Sequence, residues 1–262
     1  MTDKQSDKTD VDHKDPATRV LSLISHKIKT PLSIINGYAE AILSQTKPGE
    51  LSSFASKALL DINKQGEKLS VLVDKLVRFS SVSSLAKDAV KKDMMKVRPV
   101  FSSVSGKCVM RDDSLNIMSS DMTIRFQGPA IEIKCDPDTE IYADKALVSI
   151  AVEELMDNAV KFNNNAPKKI RLFYYEEEDR DVLAVADNGV GIKEEHINKI
   201  FEKFYQIDDF FTGQIEGWGL GLALVKRIMS LHGGTISVRS QYGVGTIISL
   251  RFPKHGALQK QA

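Results

Sequence analysis

Two runs of apolar residues, spaced alternately three and four apart, constrain the fold of this chain more than any other feature. The first run covers residues 21–42, and the second covers residues 51–79 with Gln65 as its one polar member. An average spacing of ~3.5 residues is typical of the seam between packed helices. Residues 45–50, Gln-Thr-Lys-Pro-Gly-Glu, supply a Pro-Gly turn. The sequence therefore predicts two helices folded back as an antiparallel hairpin.

Further apolar residues flank the seam on both predicted helices, and a single hairpin cannot bury all of them. They are Leu23, Leu32, Ile34, Leu59, Leu60, Val73 and Val77. Two hairpins packed together as a four-helix bundle bury the seam and its flanks at once. We therefore expect a homodimer.

One histidine of the first predicted helix points away from the seam. With Leu21 at heptad position a, His26 falls at position f, so its imidazole is exposed. Thr30 follows one turn later on the same face, and Pro31 bends the helix there because it has no backbone N–H to donate. An exposed helical histidine is usually a plain surface residue, so this segment alone leaves its role open.

Composition and local patterning divide the chain into domains. Hydrophobic residues make up 42% and charged residues 27%, which is the balance of a protein that folds around a core. Residues 1–16 are almost free of apolar side chains and are expected to be a disordered tail. The other predicted divisions are a helical hairpin over 17–90, a hinge over 91–98, a second domain over 99–254 and a tail over 255–262.

The region between the hairpin and the clearest part of the second domain is less regular. The basic stretch at 86–97 is expected to continue the second helix into the hinge. Residues 101–111 have a helical pattern, and residues 123–126 and 131–134 are strand-like.

A strongly amphipathic helix is predicted directly after Asp144. Its residues Glu154, Asn158 and Lys161 are spaced four and three apart, so they share one face. An acid, an amide and an ammonium group on one face suit a magnesium and phosphate site, because Mg²⁺ prefers oxygen ligands and phosphate prefers cations. An ordinary solvated helix face fits the same pattern.

A predicted strand at 182–186 runs into Asp187-Asn188-Gly189-Val190-Gly191. The glycines allow a flat ligand to lie against bare backbone, while the carboxylate of Asp187 accepts a hydrogen bond from an amino group such as that of adenine. A simple turn stabilised by the aspartate side chain is the alternative.

The segment Gly217-Trp218-Gly219-Leu220-Gly221 opens another predicted helix. Glycines at a helix N-terminus present free N–H groups and the positive end of the helix dipole to phosphate. The spacing matches neither the dinucleotide-binding fingerprint nor the P-loop. Gly233-Gly234 ends this helix, and two strands joined by a glycine-rich turn at 241–245 are predicted to form a hairpin that closes one edge of a mixed sheet.

Charge and hydropathy exclude several classes of partner. The 36 Lys and Arg residues balance 35 Asp and Glu residues, so no overall field favours nucleic acid or an acidic membrane. Every apolar run is far shorter than the ~20 residues that span a bilayer. The two cysteines have neither disulfide-framework nor metal spacing, which is typical of a reducing compartment. We expect a cytoplasmic protein that inserts in no membrane and binds no nucleic acid.

Five motifs in order along residues 17–253 resemble those of bacterial sensor histidine kinases. SHKIKTPL is similar to the phosphoacceptor box, EELMDNAVKF to the N box, DNGVGI to the first glycine box, FEKFY to the F box and GWGLGLALVKRI to the second glycine box. The resemblance implies an α+β fold, with a dimeric antiparallel helical hairpin followed by an α/β sandwich of the kind found in gyrase, Hsp90 and MutL. The implied activity is autophosphorylation of His26 from ATP with Mg²⁺. The phosphoryl group then passes to an aspartate on a response-regulator receiver domain, which the kinase also dephosphorylates in some relatives.

The resemblance also implies roles for single residues. Asn158 and Glu154 are expected to hold Mg²⁺, although relatives often have Asn at the Glu154 position. Lys161 is expected to contact phosphate and Asp187 to accept from the adenine amino group. A lid over 193–216 is expected to fold over the phosphates, and packing at the lid base is the alternative role of Phe201, Phe204 and Tyr205. The other expected nucleotide-contacting residues are Gly189, Gly191, Phe204, Gly217, Gly219, Leu220 and Gly221.

The phosphoacceptor box departs from the family pattern at Lys27. Most relatives have an acid there, proposed to orient the imidazole and take its proton, and a cation cannot be that base. Thr30 keeps the polar residue thought to position water for dephosphorylation. The alternatives are therefore a phosphatase-biased kinase or a weakened ATP-binding scaffold. A serine kinase or an ATP-driven clamp of the same fold does not need the hairpin that carries His26.

Overall fold

The computed structural model describes residues 53–111, 129–207 and 218–255, together with positions 28, 30, 31, 34, 35, 37, 38, 41 and 42. The chain divides into two compact units, residues 1–74 and residues 75–262. The predicted strand at 123–126 lies outside the described residues.

The described part of the first unit is helical. All its described positions between 28 and 42 are in helix, and α1 spans Ser53–Ser84. The predicted seam is confirmed at Ala55, Ala58 and Leu72, which are each at most 2% exposed. The hydroxyl of Tyr38 bonds to the carboxylate of Asp61, and this hydrogen bond and the adjacent negative charge raise the pKa of Tyr38. The contact joins the two predicted helices of the hairpin.

Helix α1 ends at Ser84, and the predicted helical continuation through 86–97 is wrong. A 3₁₀ turn, Lys87–Ala89, and a strand β1, Asp93–Lys96, follow instead. The guanidinium of Arg227 donates to the carbonyl oxygens of Ser83, at 3.2 Å, and Leu85, at 2.6 Å. These bonds satisfy carbonyl groups that a further helical turn would have used, so the chain leaves the helix.

Strand β1 lies within residues 91–98, which the sequence assigns to a hinge. It pairs antiparallel with β3, Glu140–Ala143, and places Met95 opposite Ile141 with both side chains buried. Motion about this region stays a prediction.

The second unit is an α/β sandwich, as expected. Its elements besides β1 and β3 are α2 Val97–Arg111, β2 Ala130–Lys134, α3 Lys145–Lys161, β4 Lys169–Glu176, β5 Arg180–Asp187, α4 Glu194–Ile197, α5 Gly221–His232, β6 Thr235–Gln241 and β7 Gly245–Pro253. A five-stranded sheet has the order β2-β4-β5-β7-β6, in which β2 pairs parallel with β4 and the other neighbours pair antiparallel. The predicted C-terminal hairpin is confirmed, with β6 at the sheet edge.

The core lies where helices α2, α3 and α5 cover one face of this sheet. Phe101 from α2, Val152 from α3, Ile228 from α5 and Phe252 from β7 have no exposed surface. Burial of one such side chain contributes about 1.5–3 kcal/mol, so this layer holds the site-bearing loops in place.

Two residues lock the start of α3 to the end of α5. The Asp144 carboxylate caps α3 by accepting from the backbone N–H groups of Ala146, at 3.0 Å, and Leu147, at 3.1 Å. The N–H of Asp144 donates to His232 Nε2 at 3.0 Å, and His232 Nδ1 lies 2.8 Å from the Ile228 carbonyl oxygen. The ring therefore carries its proton on Nδ1, and burial lowers the pKa of His232.

Within the described ranges 53–111, 129–207 and 218–255, no helix combines the length and the apolar character needed to span a membrane.

Candidate functional site

Asp187 is the last residue of strand β5, and it is half-buried. Its Oδ1 accepts the backbone N–H of Gly189 at 2.8 Å. Burial raises the pKa of Asp187 to about 6, although hydrogen bonds from the backbone N–H groups of Gly189 and Thr246 act in the opposite direction. The side chain is thus mostly ionised at neutral pH. Because it is also poorly solvated, it is suited to accept a hydrogen bond from an amino group of a bound base.

Gly189 brings the loop after β5 against the end of α3. A Cβ atom at this position would collide with the carbonyl oxygen of Phe162. That same oxygen accepts the N–H of Val190 at 3.0 Å. The end of the predicted N box and the first glycine box are therefore in direct backbone contact.

Gly191 fixes the other side of this loop. It has a φ of +69°, and a Cβ atom there would overlap the backbone carbonyl of Gln241 in the β6–β7 turn. The N–H of Gly243 donates to the Val190 carbonyl at 2.7 Å, and the N–H of Ile192 donates to Ser240 Oγ at 2.8 Å. Only glycine fits such a close approach combined with a left-handed conformation.

A network of asparagine side chains holds the loop after β5, and the sequence analysis did not predict it. Buried Asn163 donates from Nδ2 to Asn188 Oδ1 at 2.8 Å, and that oxygen also accepts the N–H of Lys169 at 2.7 Å. Asn165 Nδ2 donates to the Asn188 carbonyl oxygen. Three consecutive asparagines directly after a helix, at 163–165, were the one signal available.

Glu154 is the most buried of the three predicted residues on α3, at 4% exposure. Its Oε2 faces Gly221, the first residue of α5, where a Cβ atom would lie 2.6 Å from that oxygen. Asn158 and Lys161 follow on the same face and are half-buried, and the Lys161 ammonium lies 5.6 Å from the ring centre of Phe162. The N box and the second glycine box therefore meet at Glu154 and Gly221.

Lys75 of α1 holds the Glu154 carboxylate. Its Nζ lies 3.3 Å from Glu154 Oε2 and 3.8 Å from Asp157 Oδ2. The two main partners are 79 residues apart in the sequence, so no local pattern pointed to this contact.

The F box and the second glycine box pair through their backbones. The N–H of Phe204 donates to the carbonyl of Gly219 at 2.7 Å, and both residues have a φ of +63°. A Cβ atom at Gly219 would lie 2.6 Å from the Tyr205 carbonyl oxygen. The Tyr205 hydroxyl lies 2.7 Å from His196 Nδ1, which gives this side chain a packing contact beside the site.

Five further predicted residues complete the comparison with the sequence. The side chain of Leu220 is 2% exposed and belongs to the core, so it packs under the site. Three others, His26, Lys27 and Gly217, lie outside the described residues. Thr30 is exposed at a helical position of the first unit.

These residues fit a nucleotide with Mg²⁺. Glu154 and Asn158 offer a carboxylate and an amide oxygen, and Mg²⁺ in phosphate sites is usually held by one or two such groups together with phosphate oxygens. Among the residues that the structure describes, no cluster of three or more His, Cys, Asp or Glu side chains could hold a metal ion alone.

Family models match both units. The His Kinase A (phospho-acceptor) domain matches residues 17–85, and the Histidine kinase-, DNA gyrase B-, and HSP90-like ATPase matches residues 143–256. Sensor protein SrrB of Staphylococcus aureus strain MRSA252 is 28% identical over 233 residues, which are 88% of this chain and 37% of that relative. The chain thus spans just over a third of the length of the curated relatives it matches.

Solved structures share the fold. The Acinetobacter baumannii histidine kinase AdeS has a TM-score of 0.63 at 22% identity, covering 88% of this chain and 98% of that one. ThkA in complex with the response regulator protein TrrA has a TM-score of 0.65 at 19% identity, covering 90% and 61%. Full-length ShkA in complex with AMPPNP has a TM-score of 0.60 at 24% identity, covering 90% and 46%.

Proposed function

Because this chain belongs to the bacterial sensor histidine kinases, we propose that it autophosphorylates His26 from ATP and transfers the phosphoryl group to an aspartate of a response-regulator receiver domain. One observation carries the proposal. Backbone contacts join the N box to the first glycine box and the F box to the second glycine box, and the Glu154 side chain lies against Gly221 of the second glycine box, downstream of a matched phosphoacceptor domain.

The described residues divide the work of binding the substrate ATP. The Asp187 carboxylate accepts the adenine amino group, and Gly189 lets the loop that fixes this carboxylate lie against the end of α3. Glu154 and Asn158 hold Mg²⁺, and Lys161 contacts phosphate. Mg²⁺, when bound, neutralises developing charge on the phosphate oxygens.

In the reaction, an imidazole nitrogen of His26 uses its lone pair to attack the γ-phosphorus. A nitrogen–phosphorus bond forms, the bond to the ADP oxygen breaks, and the other ring nitrogen releases its proton. The attacking ring must be neutral, which an unperturbed pKa of ~6.5 permits at pH 7. Lys27 cannot take the proton, which therefore passes to water or to the β-phosphate of the leaving ADP.

We propose a cytoplasmic homodimer. The apolar side chains Leu59 and Leu60, 47% and 71% exposed on α1 of the single chain, support a second copy packed against this face. Val73 and Val77 are similarly exposed, at 44% and 61%. A receiver domain is the proposed second partner, and the ThkA structure contains such a regulator bound to that kinase.

Autophosphorylation tests the proposal directly. The purified chain is incubated with γ-labelled ATP and Mg²⁺ beside a His26→Gln variant. We expect acid-labile, alkali-stable label on the parent and none on the variant. Label that survives in His26→Gln, or no label despite measurable ATP binding, would overturn the proposed reaction.

Lys27 sets the balance of the two activities in this proposal. The family matches in both units do not favour a decayed scaffold. A Lys27→Glu variant is expected to change the rate of autophosphorylation, of regulator dephosphorylation, or of both. Unchanged rates in both assays would remove Lys27 from the mechanism.

A further inference from the structure

The last ten residues of α1, 75–84, belong to the second unit and pack against its nucleotide-site elements. We call residues 75–84 the docking segment. Lys75 pairs with Glu154, and Arg78 pairs with Glu153 at 3.2 Å. Both acids belong to the predicted N box on α3.

Apolar and aromatic contacts complete this packing. Phe79 and Val82 are 5% and 4% exposed and belong to the core of the second unit. The ammonium of Lys203, in the F box, lies 5.2 Å from the ring centre of Phe79. Arg227 of α5 donates to the Ser83 carbonyl oxygen. The docking segment therefore touches the N box, the F box and the helix that follows the second glycine box.

The contact between Lys75 and Glu154 lies at the start of α5. Glu154 Oε2, which faces Gly221 at the start of α5, is also the atom that accepts from Lys75 Nζ. The side chain of Glu154 is only 5% exposed, and that of Lys75 is 29% exposed. A carboxylate so little solvated requires a counter-charge, and in this arrangement Lys75 supplies it.

We propose that Lys75 and Mg²⁺ compete for the Glu154 carboxylate, so that the docked position of Lys75 and binding of Mg·ATP oppose each other. An ammonium group and a divalent cation on one carboxylate repel each other strongly in a partly buried site. Glu154 therefore exchanges one cation for the other. Lys75 raises the Mg²⁺ concentration needed for ATP binding. Binding of Mg·ATP in turn breaks the ion pair between Lys75 of α1 and Glu154 on α3.

This inference rests on the proposed role of Glu154 as a Mg²⁺ ligand, and its test separates the two claims. The full chain contains a single tryptophan, Trp218, which lies in the second glycine box. Its fluorescence reports nucleotide binding without a label. Mg²⁺ is titrated at fixed ATP, and ATP is titrated separately in EDTA.

Three variants accompany the parent. Lys75→Met removes the competing charge, and Lys75→Arg keeps it. Lys107→Met is the matched control, because Lys107 also pairs with α3, at 2.6 Å from Glu153, without touching Glu154. A thermal unfolding curve for each variant verifies that the second unit is folded.

Lys75→Met is expected to lower the half-saturating Mg²⁺ concentration about fivefold. ATP affinity in EDTA stays the same, and both Lys75→Arg and Lys107→Met keep the parent's Mg²⁺ dependence. An unchanged or higher Mg²⁺ requirement in Lys75→Met, while ATP still binds, would overturn the competition alone. If the folded parent bound no ATP at any Mg²⁺ concentration, the proposed function would fail and this inference with it.

Discussion

The two ends of the candidate nucleotide site are held by different kinds of contact. The end around Asp187, which we call the adenine end, is fixed by backbone groups: the N–H of Gly189, the carbonyl of Phe162 and the Gln241 carbonyl beside Gly191. The end around Glu154, which we call the phosphate end, is held by an ion pair to Lys75 at 3.3 Å.

This difference separates a preformed part of the site from an exchangeable one. Backbone contacts within a packed layer are already ordered, so ligand binding costs little further conformational entropy there. We therefore expect the adenine end to recognise the base. A side-chain ion pair can be replaced by another cation without moving the backbone. The phosphate end is therefore where we propose that a bound cation replaces Lys75.

The largest effect is expected from a side chain placed on the rigid loop of the adenine end. Gly191→Ala puts a methyl group into the Gln241 carbonyl at a positive φ, and we expect a loss of about 3 kcal/mol or more in unfolding free energy. Denaturant unfolding followed by Trp218 fluorescence measures it.

Gly243→Ala is the matched control for that substitution. Gly243 has a φ of +81°, and a Cβ atom there meets nothing within 4 Å. Gly243→Ala is therefore expected to lower the unfolding free energy only by the conformational cost of a left-handed alanine, about 1 kcal/mol. Equal losses in both variants would show that the close approach at Gly191 contributes nothing.

The Asp187 carboxylate is expected to dominate ATP affinity. Asp187→Asn replaces an acceptor by a group that also presents donors, and a weakening of roughly a hundredfold is expected by calorimetry at pH 7.5. In the parent, affinity should fall as the pH drops through about 6, where this carboxyl takes up its proton. The variant lacks that step, so any pH dependence it retains belongs to the phosphates of ATP.

The same substitution should stabilise the nucleotide-free protein. The pKa of Asp187 is about 6 in the folded chain against an ordinary 3.8, so ionisation costs folding free energy as pH rises through 6. At pH 7, Asp187→Asn is expected to gain ~2 kcal/mol, because the amide keeps an acceptor for Gly189 and no charge is desolvated. A loss of stability would mean that the ionised carboxylate is favourably solvated there.

The smallest expected effect is the pH dependence that His232 gives to the unfolding free energy. This residue is far in sequence from both Asp187 and Glu154. Burial lowers the pKa of His232, so its contribution to stability is present above ~6.5 and is lost as pH falls below that value. Measured in the Asp187→Asn background, unfolding free energy should decline from pH 7 towards pH 5.5. A flat profile would contradict the neutral ring bonded to Asp144 and Ile228.

Local patterns predicted the elements that carry the site. The spacing of Glu154, Asn158 and Lys161 correctly placed them on one helix, and the residues Asp187 to Gly191 correctly marked the loop after strand β5. The contact of the two glycines with a flat ligand stays a prediction, because each packs against protein backbone in the structure. These features depend on residues close in sequence, which propensity and periodicity describe.

The remaining features depend on contacts between distant residues. Nothing near Lys75 indicated its pairing with Glu154, and the basic stretch at 86–97 had helical amphipathicity although β1 forms there by pairing with β3. Leu220 is expected at the nucleotide from the family resemblance alone, and nothing in the sequence indicated that its side chain belongs to the core. Tertiary packing decided each of these outcomes.

The most direct test of the divided site is ATP binding by calorimetry, for the parent, Asp187→Asn and Glu154→Gln, each with Mg²⁺ and with EDTA. We predict that Asp187→Asn binds weakly in both conditions. Glu154→Gln should match the parent in EDTA and lose only the gain that Mg²⁺ provides. If the two variants lost affinity in the same pattern, the separation into a preformed adenine end and an exchangeable phosphate end would be contradicted.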